Sequence, residues 1–172
     1  MNGISVGRKV AIGACVAALG AGAALVSVAG SATAPSITLK SRTAGSLGKV
    51  LAAPNAHTLY RLSPETKTHV LCASSTCLGI WKPLQVRSKT TTVHLPAGVT
   101  GTVGFLKRGT NKYQVTLSSH PLYTFTSDSL AGQANGQRIR SFGGTWLVIK
   151  VATRRAAPAP APQPAPGYPP GY

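Results

Sequence analysis

The two acidic residues of this chain occupy the same position in two copies of one short motif. Only Glu65 and Asp128 are acidic among 172 residues, against 18 lysines and arginines. Each acid lies five residues after a tyrosine, Tyr60 or Tyr123, and each tyrosine follows a leucine. Because so rare a residue type falls twice at one place, the pattern predicts an internal duplication in which each repeat needs its carboxylate.

The tryptophans extend this pattern. The chain contains only two, Trp81 and Trp146, and they lie 21 residues after Tyr60 and 23 residues after Tyr123. Residues 45–48 and 101–104 share a Gly-x-x-Gly spacing, and we align them as the starts of the two repeats. The predicted repeats therefore cover about residues 45–95 and 99–152.

The strand pattern predicts one small all-β domain, a sandwich or barrel, at residues 45–152. Short β-prone segments recur about every ten residues and are separated by turns rich in Gly, Pro and Asn. Residues 68–71 are predicted as a strand, and residues 78–84 as a turn or a single helical turn. Residues 129–144 are predicted as a loop. Residues 145–151 form a continuous apolar run, which favours a central strand buried on both faces.

The two ends of the chain have different compositions. Arg8 and Lys9 precede a weakly apolar run that ends in Ala-Thr-Ala, which predicts a signal peptide at residues 1–34 cleaved after Ala34. A retained membrane anchor is the alternative. Cys15 lies in a lipobox-like sequence. We interpret Cys15 as part of the signal peptide, and a lipid anchor at this residue is the alternative. Residues 35–44 are a basic lead-in, and residues 153–172 are predicted as an Ala/Pro-rich disordered tail.

The charge of the exported part predicts anionic partners. Removal of residues 1–34 leaves 16 lysines and arginines against two acids, a net charge of +14. Phosphate-rich wall polymers, anionic lipid head groups and acidic polysaccharides are such partners outside a bacterial cell. Nucleic acid is not expected in that location. The alternative is that the low acid content has no functional meaning. The candidate anion-binding residues are Lys107, Arg108, Lys112, Arg138, Arg140 and Lys150.

Cys72 and Cys77 are expected to form a disulfide, because exported proteins favour paired cysteines. The short loop between them would fix local geometry. If both thiols stayed reduced, His69, Cys72 and Cys77 would form a soft-metal or redox site. This small redox or metal-handling protein is the alternative function. No other metal-ligand spacing is present, and no cofactor is expected.

The two carboxylates admit a catalytic and a structural interpretation. A pair of acids is what general acid–base glycoside hydrolysis requires. Acidic side chains that follow a strand also commonly accept backbone N–H bonds in the turn. We predict the structural role for Glu65 and Asp128, and half-buried, hydrogen-bonded positions for Tyr60 and Tyr123. The protein is therefore expected not to be an enzyme.

Several segments together resemble a known family. They are Thr58-Leu59-Tyr60, Cys77-x3-Trp81, Pro121-Leu122-Tyr123-Thr124-Phe125 with Asp128, and Asn135-Gly136-Gln137 with Trp146. Over residues 45–152 the chain is similar to secreted bacterial, lipoprotein-like repeats named for a Tyr-x4-Asp motif. Glu65 departs from the usual Asp, and Lys82 stands where the family tends to have Pro. The resemblance implies an exported, surface-associated β domain and carries no established activity.

Overall fold

Nearly all of the regular secondary structure consists of short strands. The computed structural model describes residues 34–153, in which there are thirteen strands and one α-helix. The signal peptide, the lipid-anchor alternative at Cys15 and the tail after residue 153 lie outside the described residues. The strands are β1 (Ser36–Thr38), β2 (Lys40–Thr43), β3 (Lys49–Ala52), β4 (Tyr60–Ser63), β5 (Trp81–Pro83), β6 (Gln85–Val86), β7 (Thr92–His94), β8 (Val103–Gly109), β9 (Lys112–Leu117), β10 (His120–Pro121), β11 (Tyr123–Phe125), β12 (Arg140–Ser141) and β13 (Gly144–Val148), and the helix is α1 (Ser75–Ile80). The predicted all-β class is confirmed.

The central sheet interlocks the two repeats. Its five strands follow the order β12-β13-β4-β11-β5. The two tyrosine strands, β4 and β11, are adjacent and antiparallel, and Tyr60 pairs directly with Tyr123. The strand of Trp146 pairs with β4, while the strand of Trp81 pairs with β11. Each tryptophan strand therefore adds to the tyrosine strand of the other repeat.

Reciprocal backbone bonds show that this arrangement is pseudo-twofold symmetric. Leu51 N donates to the Ile149 carbonyl at 2.8 Å, and Val115 N donates to the Leu84 carbonyl at 2.8 Å. Leu51 and Val115 are thus equivalent, as are Leu84 and Ile149. The repeats are related about an axis that passes between Tyr60 and its partner on β11.

The two hairpins before the tyrosine strands are also equivalent. β2 pairs with β3 in the first repeat, and β8 pairs with β9 in the second. A 3₁₀ turn at Gly45–Leu47 closes the first hairpin, and Gly109 opens the turn of the second. Gly101 lies ahead of β8 instead. The alignment of residues 45–48 with residues 101–104 is therefore not the structural one, because the matching turns are 45–48 and 109–112.

The ordered strands begin before the predicted start of the repeats. Residues 35–44, interpreted as a basic lead-in, contain β1 and β2. β1 runs parallel to β7, and Leu39 between β1 and β2 is only 1% exposed. The absence of a sequence period here reflects the short length of these strands, since three or four residues show little alternation.

Two apolar clusters lie on opposite sides of the central sheet. Tyr60 and Leu62 belong to the first, together with both tryptophans. Leu59 belongs to the second, which also contains Leu122. Because successive side chains of a strand point to opposite faces, Tyr60 and Leu62 enter the first cluster, while Leu59, just before β4, enters the second. Each repeat contributes to each cluster.

Several local expectations need correction. The strand predicted at residues 145–151 is β13, and it lies inside the sheet between β12 and β4 as expected. It ends at Val148, and only Trp146 and Val148 are buried within it, so the predicted burial on both faces along the strand is not observed. Residues 68–71 form no strand. Residues 78–84 divide between the end of α1 and β5. Within residues 34–153 the structure contains no helix long and apolar enough to cross a membrane.

The short helix α1 starts at a side-chain cap. The hydroxyl of Ser74 accepts a hydrogen bond from Cys77 N at 3.2 Å, which satisfies one of the free N–H groups of the first turn. The helix lies in the loop that joins β4 to β5, and Cys77 is its buried residue. With six residues it was too short to give an amphipathic pattern in the sequence.

Candidate functional site

The two motif tyrosines bond to the acids of the opposite repeats. Tyr60 Oη donates to Asp128 Oδ2 at 2.6 Å, and Tyr123 Oη donates to Glu65 Oε1 at 3.0 Å. None of the four side chains is more than 1% exposed. The Leu-Tyr-x4-acid motif therefore encodes two contacts between the repeats, rather than one contact within each.

The loop before β12 completes the Asp128 site. Asn135 N donates to Asp128 Oδ1 at 2.8 Å, and Gly136 N donates to Tyr60 Oη at 3.2 Å. A Cβ atom at position 136 would lie 2.6 Å from Trp81 Cη2. Only glycine allows the loop backbone to approach the aromatic rings this closely.

The segment before α1 completes the Glu65 site. Leu71 N and Cys72 N each donate to Glu65 Oε1 at 3.0 Å, alongside the phenol of Tyr123. The second carboxylate oxygen, Oε2, is buried and has no hydrogen-bond partner among residues 34–153. One oxygen of this acid thus accepts all three bonds.

Arg108 turns inward beside Tyr123. Its Nε donates to Gln114 Oε1 at 2.7 Å, Nη1 donates to the Cys72 carbonyl at 3.2 Å, and Nη2 donates to Tyr123 Oη at 2.7 Å. These bonds hold the guanidinium at the Glu65 site. Arg108 is predicted to bind anions at the surface, but its guanidinium instead donates hydrogen bonds to groups inside the protein.

The two tryptophans stack at the centre of the first cluster. Their ring centroids are 3.7 Å apart and their planes differ by 6°. Tyr60 meets Trp81 edge-on at 5.3 Å, and Tyr123 meets Trp146 edge-on at 5.1 Å. Phe125 stacks on the outer face of this pair at 4.4 Å from Trp81. The equivalent residues thus form one symmetric aromatic unit. Their matching positions in the sequence indicate that they are equivalent but not how their rings pack.

Burial and the adjacent carboxylates keep both phenols protonated. Desolvation is the largest cause that raises the pKa of Tyr60, and the bond to Asp128 adds to it. Desolvation and the charge of Glu65 likewise raise the pKa of Tyr123, while the charge of Arg108 offsets part of that rise. Both hydroxyls therefore remain hydrogen-bond donors to their acids at neutral pH.

Two histidines that the sequence analysis did not select repeat the symmetry. His57 Nδ1 lies 2.6 Å from the Asp128 carbonyl oxygen, and His120 Nδ1 lies 2.6 Å from the Glu65 carbonyl oxygen. A carbonyl only accepts, so each Nδ1 carries the proton. Both histidines stand three residues before a motif tyrosine, a repeat that the sequence already contained.

The predicted disulfide between Cys72 and Cys77 is confirmed. Both cysteines are fully buried, and Cys72 also contributes its N–H to Glu65 and its carbonyl to Arg108. His69 is exposed. No group of three or more metal-ligating side chains occurs within residues 34–153.

The predicted anion-binding residues are divided between two sheets. Lys107 and Lys112 lie on the β8–β9 hairpin with Arg108. Arg138 and Arg140 are exposed at β12 and in the loop before it, and Lys150 follows β13 with its Nζ donating to the Leu47 carbonyl. The six residues therefore do not form one compact group.

The comparison with protein families agrees with the second repeat. Residues 106–150 match a family described as a secreted repeat of unknown function. This segment contains Tyr123, Asp128 and Trp146 of the second repeat. The predicted resemblance to secreted repeats is confirmed. No curated protein and no solved structure matches the chain.

Proposed function

We propose that this protein is an exported, non-enzymatic module that associates with anionic polymers of the bacterial cell envelope through its basic surface. One observation carries the proposal. Glu65 and Asp128, the only acidic side chains of the chain, are both buried and occupied with internal donors. The surface of residues 34–153 therefore presents lysines and arginines and no acidic side chain.

This charge distribution differs from a merely basic composition. On most proteins, surface acids lie among the bases and cancel much of the potential at short range. Here 14 of the 18 lysines and arginines lie within residues 34–153, and no exposed carboxylate side chain there opposes them. Such a surface attracts polyanions, and salt weakens the attraction because the screening length is about 8 Å at physiological ionic strength.

The description of the matching family as secreted and the internal hydrogen bonds of the two acids both support this role. The matching family is described as secreted, and an exported protein in a bacterial envelope meets wall polymers and acidic polysaccharides. Buried N–H and O–H donors need acceptors, and the two carboxylates meet that need. Their occurrence in both repeats is thus explained without a catalytic role.

The alternative, a small redox or metal-handling protein, would use His69, Cys72 and Cys77. No observation favours it over the binding module. The two sulfurs are bonded to each other and buried, and His69 lies exposed outside that bond.

The test is retention of the natively exported protein on immobilised anionic wall polymer and on heparin. The control is a basic protein of similar size and net charge whose surface also carries acids. We expect the exported protein to elute at higher salt than the control on both supports. Equal elution would show that total charge alone explains retention, and the proposal would be wrong.

A further inference from the structure

Two neighbouring clefts flank the turn between β9 and β10. The first, of about 340 Å³, is lined by Arg61, His120, Lys150 and Thr100, with an apolar floor. The second, of about 320 Å³, is lined by Lys67 and by hydroxyl-bearing residues. Ser118 lines both clefts, so together they form one groove that crosses the turn, here called the turn groove.

The turn itself is held in an uncommon conformation. Ser118 and Ser119 both have positive φ values, 48° and 69°. This matches a two-residue hairpin turn, which usually takes Asn or Gly at these positions. A residue other than glycine in this region carries strain, and strained residues concentrate at functional sites.

The backbone around the turn is fixed by close contacts. Ser118 N donates to the Thr102 carbonyl at 2.8 Å, and Lys67 N donates to the Ser119 carbonyl at 2.8 Å. A Cβ atom on Gly101 would lie 2.4 Å from Ser118 Oγ, so this position needs glycine. The walls of the turn groove are therefore set before any ligand arrives.

The cationic side chains are directed to the groove by the core. Arg61 lies between Tyr60 and Leu62, whose side chains enter the first cluster, so Arg61 points to the opposite face of the sheet. His120 is fixed through its Nδ1 bond to the Glu65 carbonyl, which leaves Nε2 for a ligand. No acidic side chain lines either cleft.

The pseudo-symmetry shows which of these residues the fold needs. His120 has an equivalent in His57 with the same carbonyl bond, so the histidine is part of the shared architecture. Arg61 corresponds to Thr124, because each is the second residue of its tyrosine strand. Lys67 and its counterpart Leu130 both lie two residues after the acid of their repeat. The second repeat therefore folds without cations at the equivalent positions, Thr124 and Leu130. The fold does not require Arg61 and Lys67, yet both line the turn groove.

We propose that the turn groove is the site at which the anionic polymer binds, with one oxyanion in each cleft. Arg61 and His120 would contact the first, and Lys67 the second. This inference rests on the proposed function and deepens it. The two clefts favour a chain of repeated phosphate, sulfate or carboxylate groups over a single anion, because adjacent charges of one chain would occupy both clefts in one binding event.

The experiment compares two double variants of the full exported chain that lose the same charge. Arg61→Gln with Lys67→Gln removes two cations of the groove and leaves Lys150, whose Nζ donates to the Leu47 carbonyl. Lys82→Gln with Lys89→Gln is the matched control, since both lysines are exposed and Lys82 lies opposite Thr124, on the other side of the pseudo-axis. Affinity for polyphosphate, heparin and polyglutamate is measured at fixed salt.

We expect the groove variant to lose about tenfold or more in affinity, because hydrogen bonds to charged groups are lost. The control should lose less than about fivefold, since exposed charges act weakly. The ranking of the three polymers identifies the preferred oxyanion. Equal losses in both variants would show that the turn groove is not the binding site, and would leave the proposed function intact. If the unaltered protein bound no polymer better than its charge-matched control, the proposed function itself would fail.

Unfolding curves of both variants separate binding from folding. Neither Arg61 nor Lys67 contributes its side chain to the buried network around Glu65 or Asp128, so we expect midpoints close to that of the unaltered protein. A groove variant that unfolds early would be replaced by Arg61→Lys, which keeps the charge and loses the planar fork of donors. Unchanged affinity in that variant for every polymer would also count against the turn groove.

Discussion

The Asp128 and Glu65 sites are equivalent in the fold and different in chemistry. At Asp128 both carboxylate oxygens are used, one by Tyr60 at 2.6 Å and the other by Asn135 N at 2.8 Å. At Glu65 a single oxygen accepts three bonds and the other has no partner among residues 34–153. Glu65 is longer than Asp128 by one methylene group. It occupies the equivalent position, but its carboxylate accepts a different set of hydrogen bonds.

The environment of each phenol differs as well. Tyr60 accepts a bond from a backbone group, Gly136 N, at 3.2 Å. Tyr123 accepts from a charged group, Nη2 of Arg108, at 2.7 Å. Ala44 occupies the place of Arg108 in the first repeat and Val50 that of Gln114, as the 45–48 and 109–112 turns indicate. The first repeat is therefore apolar where the second carries a cation and an amide.

The symmetry therefore constrains the position of an acceptor more than its chemistry. A loop backbone closes the Asp128 site, whereas a guanidinium and the disulfide loop close the Glu65 site. Charge balance therefore matters more at Glu65, because the partly buried Arg108 bonds to Tyr123 and Cys72, which both also bond to Glu65.

Glu65→Gln should cause the largest loss of stability. The amide would lack the negative charge at Tyr123, the phenol to which Arg108 also bonds, and would place an NH₂ group where Oε2 now has no partner among residues 34–153. We expect the free energy of unfolding to fall by about 3 kcal/mol. Denaturant titration measures this, with the exposed Lys89→Gln as a control that should change stability by less than about 0.5 kcal/mol. Equal effects would refute a structural role for Glu65.

Asp128→Asn should cost less, about 2 kcal/mol. The amide oxygen can keep the bond from Asn135 N, and the hydroxyl of Tyr60 can rotate to accept from the new NH₂ group. What is lost is the charge of the acceptor and the acceptor for the Tyr60 hydroxyl proton. If this variant were less stable than Glu65→Gln, the proposed importance of Arg108 would be wrong. The structural interpretation of Glu65 and Asp128 requires that both variants lose stability. That result would favour it over a hydrolase that uses the two acids.

High pH should destabilise the fold through the two phenols. Each pKa is raised in the folded protein, so the stabilisation is present below the ordinary value of 10.0 and is lost as pH rises above it. Above pH 10 each tyrosine should lower the free energy of unfolding by about 1.4 kcal/mol per pH unit.

Tyr60→Phe and Tyr123→Phe test this slope separately. Each variant should remove the contribution of one phenol above pH 10 and leave the pH dependence between pH 7 and 9 as it was. The measurement is denaturant unfolding at a series of pH values. A slope that neither substitution changes would mean that other groups control alkaline unfolding.

The repeat could be predicted from sequence because its marker residues are rare. Two acids and two tryptophans are few enough that equivalent spacing is informative. The exchange of partners between repeats could not be predicted, since the motif is the same whether Tyr60 meets Glu65 or Asp128. That choice is made by the pairing of β4 with β11, a contact between distant parts of the chain.

Two expectations are incorrect because each depends on contacts between distant parts of the chain. The mostly apolar residues 145–151 predict one strand buried on both faces, but β13 ends at Val148 with Trp146 in the first cluster, and Ile149 and Val151 beyond it pack with the second. Arg108 is expected at the surface with the other candidate anion-binding residues. Its inward direction depends on Gln114 and Tyr123, which lie on other strands.

The smallest predicted effect is an energetic coupling between the disulfide and one acid only. Replacing Cys72 and Cys77 together by alanine should cost about 2 kcal/mol, since the closed loop is short. Cys72 N donates to Glu65, whereas the partners of Asp128 lie outside this loop. In double-mutant cycles the cysteine replacement should couple to Glu65→Gln by about 1 kcal/mol and to Asp128→Asn by less than about 0.5 kcal/mol. Equal coupling to both acids would show that the two sites form one cooperative network, and the difference drawn between them would then lie in their contacts and not in their energetics.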